Sequence, residues 1–281
     1  MSGWFAQGSR IDCIPADDRA AQYGDGLFET MAVRDGAARF CVAHIARLQI
    51  GCSRLLLDCP PAEALLKAVN DAIHQSADVN KYATAKLVLS AGSGPRGYRR
   101  IEDAGPIVRV GIFAAKPLPA TIYQQGATIR LCASRLAVQP QLAGIKTLNR
   151  LEQVLARAEW QDPGIFEGLM LDTGGRLICG TMSNVFMAAK SGLITPAITR
   201  CGVSGIMRGQ LLRWFQAAGI DCDVRDAGID ELLAADEVFL TNSLLGVIPV
   251  QSCGSRRWTV GDFTRKAQAL AAANGVPECQ A

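Results

Sequence analysis

The chain has 281 residues, 49% of them hydrophobic and 20% charged, which suits a globular protein with one large or two smaller domains. A net charge of +3 is too small to indicate a nucleic-acid partner, and no apolar run approaches the roughly 20 residues that cross a membrane. The first residues lack a cationic start followed by an apolar core, so we expect no signal peptide and a cytoplasmic location.

The cysteines, histidines and lysines limit the possible chemistry. Ten cysteines are scattered without a Cys-x-x-Cys spacing, and the chain contains two histidines, so we expect no metal site. In a reducing compartment the thiols are expected to stay free and mostly buried. Lysine, the residue type that forms imines with aldehydes, occurs seven times, which leaves seven candidates for that chemistry.

The first part of the chain is predicted to mix strands with helices. Asp35 and Gly36 form a turn signal after an apolar stretch, which indicates a β-hairpin. Helical periodicity appears on both sides of Pro60 and Pro61. The predicted strands cover residues 28–34, 84–90 and 107–115, and the predicted helices cover 44–57 and 62–77.

A domain boundary is predicted at residues 116–125, because two prolines and a following glycine interrupt the pattern there. The domains would cover residues 1–115 and 126–281. In the second domain, strands are predicted over 127–133, 167–172, 176–178, 184–189 and 237–241, and helices over 149–160, 206–218 and 264–274. Strands and helices do not alternate strictly, so the sequence favours two α+β domains over a doubly wound parallel sheet.

Residues 92–97, Gly-Ser-Gly-Pro-Arg-Gly, match the spacing of a dinucleotide-binding loop. That motif needs a helix to begin there, whereas Pro95 and the residues after it continue as a loop, so we reject a nucleotide site. A glycine-rich loop that presents Arg96, Arg99 and Arg100 remains. It is either a carboxylate-binding loop or a solvated surface loop.

Two further segments combine glycines or hydroxyl groups with the end of a predicted element. Gly202, Ser204 and Gly205 precede a predicted helix, which indicates either a phosphate site at the helix N-terminus or a simple N-cap at Ser204. Residues 241–243, Thr-Asn-Ser, follow a predicted strand and alone indicate a turn.

Lys146 stands in the segment LAGIKTLNRLEQV, where a helical pattern begins. An exposed lysine is the simplest interpretation. However, the positive end of a helix dipole and the apolar neighbours Ile145 and Leu148 would favour a neutral amine, as an imine-forming lysine requires. Both interpretations stay open from these residues alone.

Segments along nearly the whole chain resemble the fold-type IV, or class IV aminotransferase-like, family of pyridoxal-phosphate enzymes. The segment around Lys146 is the most specific, and it is more similar to the lyases of this family than to its aminotransferases. The segments are DRAAQYGDGLFET (18–30), HIARL (44–48), SGPRGY (93–98), LAGIKTLNRLEQVLAR (142–157), SNVF (183–186), GVSGIMR (202–208) and ADEVFLTNS (235–243). The resemblance implies a two-domain α+β fold with pyridoxal 5'-phosphate bound at the domain interface.

The resemblance also assigns roles to individual residues. Lys146 would be the lysine that binds pyridoxal phosphate and, with Thr30 as a further candidate, the catalytic group. The remaining cofactor contacts would be Arg47, Cys179, Val203, Ser204, Asn242 and Ser243. The substrate contacts would be Arg96, Tyr98 and Phe28, with Arg96 contributed across a homodimer interface and with Arg99 or Arg100 as helpers.

Two positions depart from the family pattern. D-amino-acid aminotransferases carry a tyrosine where this chain has Phe28, which weakens that alternative. Cys179 stands where the family usually has a glutamate that pairs with the pyridine nitrogen of the cofactor. A neutral thiol cannot keep that nitrogen protonated as a carboxylate does. Three explanations stay open: a weaker pyridinium, another acidic group that reaches the ring nitrogen, or a reaction that needs less of an electron sink.

The resemblance implies a lyase that converts 4-amino-4-deoxychorismate into 4-aminobenzoate and pyruvate for folate synthesis. The alternatives are a class IV aminotransferase acting on D- or branched-chain amino acids, and an impaired homologue that only binds the cofactor. The expected partners are the small-molecule substrate and a second copy of the chain, with no nucleic acid and no membrane.

Overall fold

The computed structural model describes residues 3–76, 81–101, 105–189 and 192–280, and the chain divides into two compact units. The first unit comprises Met1–Pro117 and Ile145–Asn149, and the second comprises Leu118–Gly144 and Arg150–Ala281. The short segment around Lys146 therefore belongs to the first unit, although the chain on both sides of it belongs to the second. The domain boundaries expected from the sequence stay a prediction.

The first unit is an antiparallel sheet with its two long helices packed on one face. The sheet order is β2-β1-β6-β5-β3-β4, so β5 is an interior strand between β3 and β6. The strands are β1 (Gly3–Ala6), β2 (Ser9–Ile11), β3 (Gly26–Arg34), β4 (Ala37–Ala38), β5 (Tyr82–Ser90) and β6 (Ile107–Ala114). The helices are α1 (Arg19–Tyr23), α2 (Cys41–Leu55) and α3 (Ala62–His74).

Strand alternation explains which face of this sheet is buried. In β5 the side chains of Ala83, Ala85, Leu87 and Leu89 are completely buried and belong to one hydrophobic core with α2 and α3. The intervening side chains, Lys86 among them, lie on the opposite face because successive strand residues point to opposite sides. The sheet thus has a core face and a second, partly exposed face.

The segment Ile145–Asn149 pairs with the free edge of β3. The Phe28 amide donates to the Lys146 carbonyl at 2.9 Å, and the Leu148 amide donates to the Gly26 carbonyl at 3.0 Å. The following helix, α5 (Leu151–Arg157), begins only at Leu151, whereas the sequence predicted a start at residue 149. The expectation that Lys146 lies at a helix start was therefore wrong: the backbone hydrogen bonds of this segment are those of an added strand.

The second unit contains a mixed sheet in the order β12-β11-β10-β13-β14-β7-β8-β9, with β15 paired to β14. Its strands are β7 (Ala127–Leu136), β8 (Ile165–Asp172), β9 (Leu177–Gly180), β10 (Asn184–Ala189), β11 (Gly192–Pro196), β12 (Cys222–Arg225), β13 (Glu237–Asn242), β14 (Gly246–Cys253) and β15 (Arg256–Arg257). Its helices are α4 (Ala120–Gln125), α5 (Leu151–Arg157), α6 (Ile206–Ala217), α7 (Ile229–Ala234) and α8 (Asp262–Ala273), with a short 3-10 turn at Pro277–Cys279.

The predicted α+β class is confirmed, and most predicted elements agree with the structure to within a few residues. The last residue of the helix predicted over 62–77 lies outside the described residues, and α3 ends at His74.

Within the described ranges, no helix combines the length and apolarity that a membrane span requires. Among the same residues there is no group of three or more His, Cys, Asp or Glu side chains that could hold a metal ion.

Candidate active site

Lys146 lies beside the ring of Phe28 in the first unit. Its Nζ is 4.4 Å from the centre of that ring. Lys86, a residue with no role assigned from the sequence, places its own Nζ 5.0 Å from the same ring centre. Thr30 follows Phe28 by two residues along β3, so it lies on the same sheet face, and it is the cross-strand partner of Lys86. The first unit thus brings both predicted catalytic residues, Lys146 and Thr30, together with Phe28 and adds a second amine.

The side chain of Arg47, a residue of α2, is held in place by a buried carboxylate. Glu29 accepts hydrogen bonds from Arg47 Nε at 2.8 Å and from a second nitrogen of the same guanidinium. Glu29 also lies 2.6 Å from Nδ1 of His44, which is completely buried. The predicted phosphate-binding arginine is therefore oriented by a Glu29–His44 pair that the sequence did not reveal.

Burial and charge act in opposite directions on this group. Burial disfavours the ionised form of Glu29, but the charge of Arg47 and the hydrogen bonds from His44 and Arg47 outweigh it, so its pKa is lowered. Burial lowers the pKa of His44, and the charges of Arg47 and Lys146 add to that effect against the attraction of Glu29. The arrangement at neutral pH is a Glu29 carboxylate, a neutral His44 that donates through Nδ1, and an Arg47 cation.

The glycine-rich loop that carries Arg96 and Tyr98 is exposed but well anchored. Arg19 donates to the carbonyls of Gly97 and Tyr98 at 3.0 Å each, and its Nε donates to Asp25 at 2.8 Å. Arg100 donates to the same carboxylate and to the carbonyls of Leu55 and Leu56. Arg100 therefore fixes the loop, whereas the predicted substrate roles of Arg96 and Tyr98 stay predictions.

In the second unit, Asn184 shapes the segment before α6. Its Nδ2 donates to the Val203 carbonyl and its Oδ1 accepts from the Gly205 amide, both at 3.0 Å. The Ser204 amide donates to the Gly144 carbonyl at 3.1 Å, which fixes the same segment from the other side. A Cβ atom at position 205 would lie 2.0 Å from Asn184 Oδ1, so any larger residue there would displace the asparagine side chain.

Hydrogen bonds to a buried carboxylate hold the loop between β9 and β10 in place. Glu167 is completely buried, and its carboxylate accepts hydrogen bonds from the amides of Thr181 and Met182 and from the hydroxyls of Thr181 and Ser183. Asn242 reaches the same loop from β13, donating to the Met182 carbonyl at 2.7 Å. Ser243 directly follows Asn242. Their predicted cofactor contacts stay predictions.

Cys179 lies on β9, just before this loop, inside a small hydrophobic core that includes Met170 and Ile178. Burial raises the pKa of the thiol to about 12, and the charge of Glu167 adds to that effect, against the opposing charge of Arg150. The side chain is therefore a neutral thiol at physiological pH. Both oxygens of Glu167 are already bound to the loop, so this carboxylate does not substitute for the missing glutamate.

The start of α6 fits a phosphate group. No side chain caps the helix at Gly205 and no acidic residue occupies its first turn, so the positive end of the helix dipole is uncompensated. Thr241, the cross-strand neighbour of Asn184, has a buried hydroxyl with no hydrogen-bond partner among the described residues. The residues at Lys146 likewise fit an aldehyde-binding amine, whereas Cys179 supplies no negative charge for a ring nitrogen.

The chain belongs to the class IV amino-transferase family, whose family model matches residues 26–253. The fold is that of fold-type IV pyridoxal-phosphate enzymes.

Its relatives include lyases and aminotransferases. The chain is 33% identical over 259 residues to an aminodeoxychorismate lyase from Vibrio harveyi, an alignment that covers 91% of this chain and 94% of that protein. It is 29% identical over 246 residues to a D-alanine aminotransferase from Bacillus licheniformis, covering 86% and 84%. The crystal structure of 4-amino-4-deoxychorismate lyase from Pseudomonas aeruginosa superimposes with a TM-score of 0.91 at 40% identity, covering 97% of this chain and 99% of that one.

Several residues of the site were not predicted from the sequence. Lys86 carried a usable signal, since it is a single charged residue inside an otherwise apolar or small-residue strand. Glu29 had the same signal in β3. Glu167 is likewise a charged residue inside the largely apolar strand β8, but its partners on the loop 181–183 could not be predicted from residue spacing.

Proposed function

We propose that this protein is a pyridoxal-phosphate-dependent lyase that converts 4-amino-4-deoxychorismate into 4-aminobenzoate and pyruvate, a step of folate synthesis. The observation that carries the proposal is the Lys146 amine, held by strand pairing beside the ring of Phe28 within the segment most similar to the lyases. From the sequence we also propose that the enzyme is a cytoplasmic homodimer, with Arg96 reaching the partner's substrate.

The cofactor-binding roles follow from the chemistry of each group. The Lys146 Nζ would bind the aldehyde carbon of pyridoxal phosphate. The amides in the first turn of α6, which follows the segment of Val203 and Ser204 that Asn184 shapes, would hold its phosphate together with the Ser204 hydroxyl. Arg47, oriented by Glu29, would add a positive charge to the phosphate.

When bound, the cofactor would withdraw electrons from the carbon that carries the substrate's amine. Lys146 Nζ would then remove the proton from that ring carbon, acting as a general base. Loss of enolpyruvate from the neighbouring carbon completes the aromatic ring of 4-aminobenzoate. Thr30, two residues from Phe28 on the same face, is our candidate for returning a proton to the departing enolpyruvate through its hydroxyl.

The neutral thiol of Cys179 suits this reaction better than a transamination. Aromatisation of the product supplies driving force that transamination lacks, so the lyase reaction can proceed with a weaker electron sink at the ring nitrogen. A transamination half-reaction with D- or L-amino acids as fast as the lyase reaction would contradict this proposal and favour the aminotransferase alternative.

The test is product release by the purified, cofactor-loaded protein. We expect the wild-type protein to release 4-aminobenzoate and pyruvate from 4-amino-4-deoxychorismate in equal amounts. Lys146→Ala should abolish both products and the visible absorbance band of the lysine-bound cofactor, whereas Lys116→Ala, at an exposed position, should retain them. A protein that binds the cofactor through Lys146 but releases neither product would instead be an impaired homologue.

A further inference from the structure

Lys86 occupies an unusual position for a lysine. It lies in the middle of β5, an interior strand, where the usual reason for a strand lysine, protection of an exposed edge, does not apply. Its side chain is partly buried, and its Nζ lies 5.0 Å from the centre of the Phe28 ring, the same ring that Lys146 approaches. Two amines thus flank one aromatic side chain.

In the part of the chain that the structure describes, no carboxylate pairs with Lys86 on this sheet face. Its direct cross-strand partners are Thr30 on β3 and Gly111 on β6, and the aromatic rings of Phe113 and Trp4 cover Gly111. Among the described residues Lys86 has no ion pair or hydrogen bond. The other neighbours on the face, by strand register, are Phe28, Ala32, Thr84, Val88, Arg109 and Phe113.

The one other cation of this group is already neutralised. Arg109 donates to the buried carboxylate of Asp18 at 2.6 Å, so its charge is balanced within the protein. Lys146 is assigned to the cofactor in the proposed function, which leaves the Lys86 ammonium group for an external anion. A partly desolvated cation without a protein partner is costly unless a ligand carboxylate or phosphate supplies the opposite charge.

We propose that Lys86 binds a carboxylate of the substrate, specifically that of the enolpyruvyl group, an inference that rests on the proposed lyase function. The substrate carries two carboxylates. One carboxylate is attached to the ring carbon opposite the carbon that carries the amine. The other belongs to the enolpyruvyl group, which is attached to the carbon next to the amine-bearing carbon. Because Lys86 and Lys146 share one aromatic neighbour, Lys86 is placed for the carboxylate nearer the reacting amine.

This role differs from two others that the same geometry allows. As a neighbouring cation, Lys86 would make Lys146 easier to deprotonate and would act on the cofactor rather than on the substrate. As a purely structural residue, it would only stack on Phe28. The three roles predict different results for binding, spectra and product inhibition.

The experiment uses the full-length, cofactor-loaded protein with Lys86→Met, which keeps the length of the side chain and removes its charge. We expect KM for 4-amino-4-deoxychorismate to rise about 10- to 100-fold, the effect of losing a charge-assisted hydrogen bond, while kcat changes much less. Inhibition by pyruvate should weaken by a similar factor, and inhibition by 4-aminobenzoate should not change. Lys86→Arg should restore most of the lost affinity, and Lys116→Met serves as the exposed control.

Three outcomes would each overturn the proposal. An unchanged KM in Lys86→Met would show that Lys86 does not bind the substrate and has only a structural role. A changed pH titration of the absorbance band of the bound cofactor would show that Lys86 acts on Lys146. Weaker inhibition by 4-aminobenzoate instead of pyruvate would assign Lys86 to the ring carboxylate. If Lys86→Met does not fold, as judged by melting of the apoprotein, Lys86→Gln replaces it. Absence of product from the wild-type protein would refute the proposed function itself, separately from the role of Lys86.

Discussion

At the scale of single residues, His44 couples the stability of the first unit to pH. It is completely buried and its pKa is lowered by burial, so it resists protonation in the folded state. In the unfolded chain it takes up a proton as the pH falls through about 6.5, which favours unfolding. Stability from His44 is therefore present above that pH and is lost as the pH falls toward the folded pKa. Titration of Glu29 does not contribute in this pH range, because its own pKa is lowered from a value near 4.5 and so lies below the range.

We predict that His44→Gln flattens the decline of melting temperature between pH 7.5 and 5.5 in the cofactor-free protein. Each unit by which the pKa is lowered corresponds to about 1.4 kcal/mol, and each kcal/mol to roughly 2–4 °C for a protein of this size. His74→Gln, at an exposed position on α3, should keep the wild-type slope. Equal slopes in the wild-type protein and His44→Gln would assign the pH dependence to other groups.

The residues also differ in how far their roles could be predicted. Lys146 and Cys179 were found because the family pattern fixes their positions in the sequence. The physical argument for Lys146, a helix start, was nevertheless wrong, because strand pairing with β3 holds it. Lys86 carried a sequence signal as a charged residue in an apolar strand, but its contact with the Phe28 ring on another strand could not be predicted without the strand register.

At the scale of elements, the start of α6 depends on close packing between Gly205 and Asn184. A methyl group at position 205 would lie 2.0 Å from Asn184 Oδ1, so the asparagine would have to move and would lose its bonds to Val203 and Gly205. Position 209, one turn into the same helix, has nothing within 4 Å of an added Cβ. The two glycines therefore form a matched pair with opposite expectations.

We predict that Gly205→Ala weakens the binding of pyridoxal phosphate to the apoprotein about 10- to 100-fold, the cost of two lost hydrogen bonds in the proposed phosphate site. Binding of pyridoxal, which has no phosphate, should change little. Gly209→Ala should leave both affinities unchanged and raise the melting temperature, since alanine favours a helix by about 0.5–1 kcal/mol over glycine. Equal weakening of both ligands by Gly205→Ala would place its effect outside the phosphate site.

The elements were predicted well where local periodicity determined them and poorly where it did not. The long strand β5 and helix α6 follow clear alternation or helical spacing. Strand β14 was missed because it is buried on both sides and contains Pro249, so it shows neither alternation nor a simple apolar run. The added strand at Ile145–Asn149 was missed because its pairing partner lies more than a hundred residues away along the chain.

At the scale of the whole molecule, the chain returns to the first unit for Ile145–Asn149 in the middle of the second. The Leu148 amide bonds to Gly26 in the first unit, whereas the Gly144 amide, four residues earlier, bonds to the Gly202 carbonyl in the second. If the compact units are also units of cooperative unfolding, these two amides will report different opening free energies. Sequence spacing alone gives no reason to expect a difference.

We predict that Leu89→Ala, in the core of the first unit, lowers the hydrogen-exchange protection of the Leu148 amide by about 2–5 kcal/mol and that of Gly144 much less. Leu240→Ala, at a buried position in β13 of the second unit, should do the reverse. Native-state exchange of the cofactor-free protein measures both amides in one experiment. If the two amides respond equally to each substitution, the protein unfolds as one cooperative body, and the segment carrying Lys146 does not take its stability from the first unit alone.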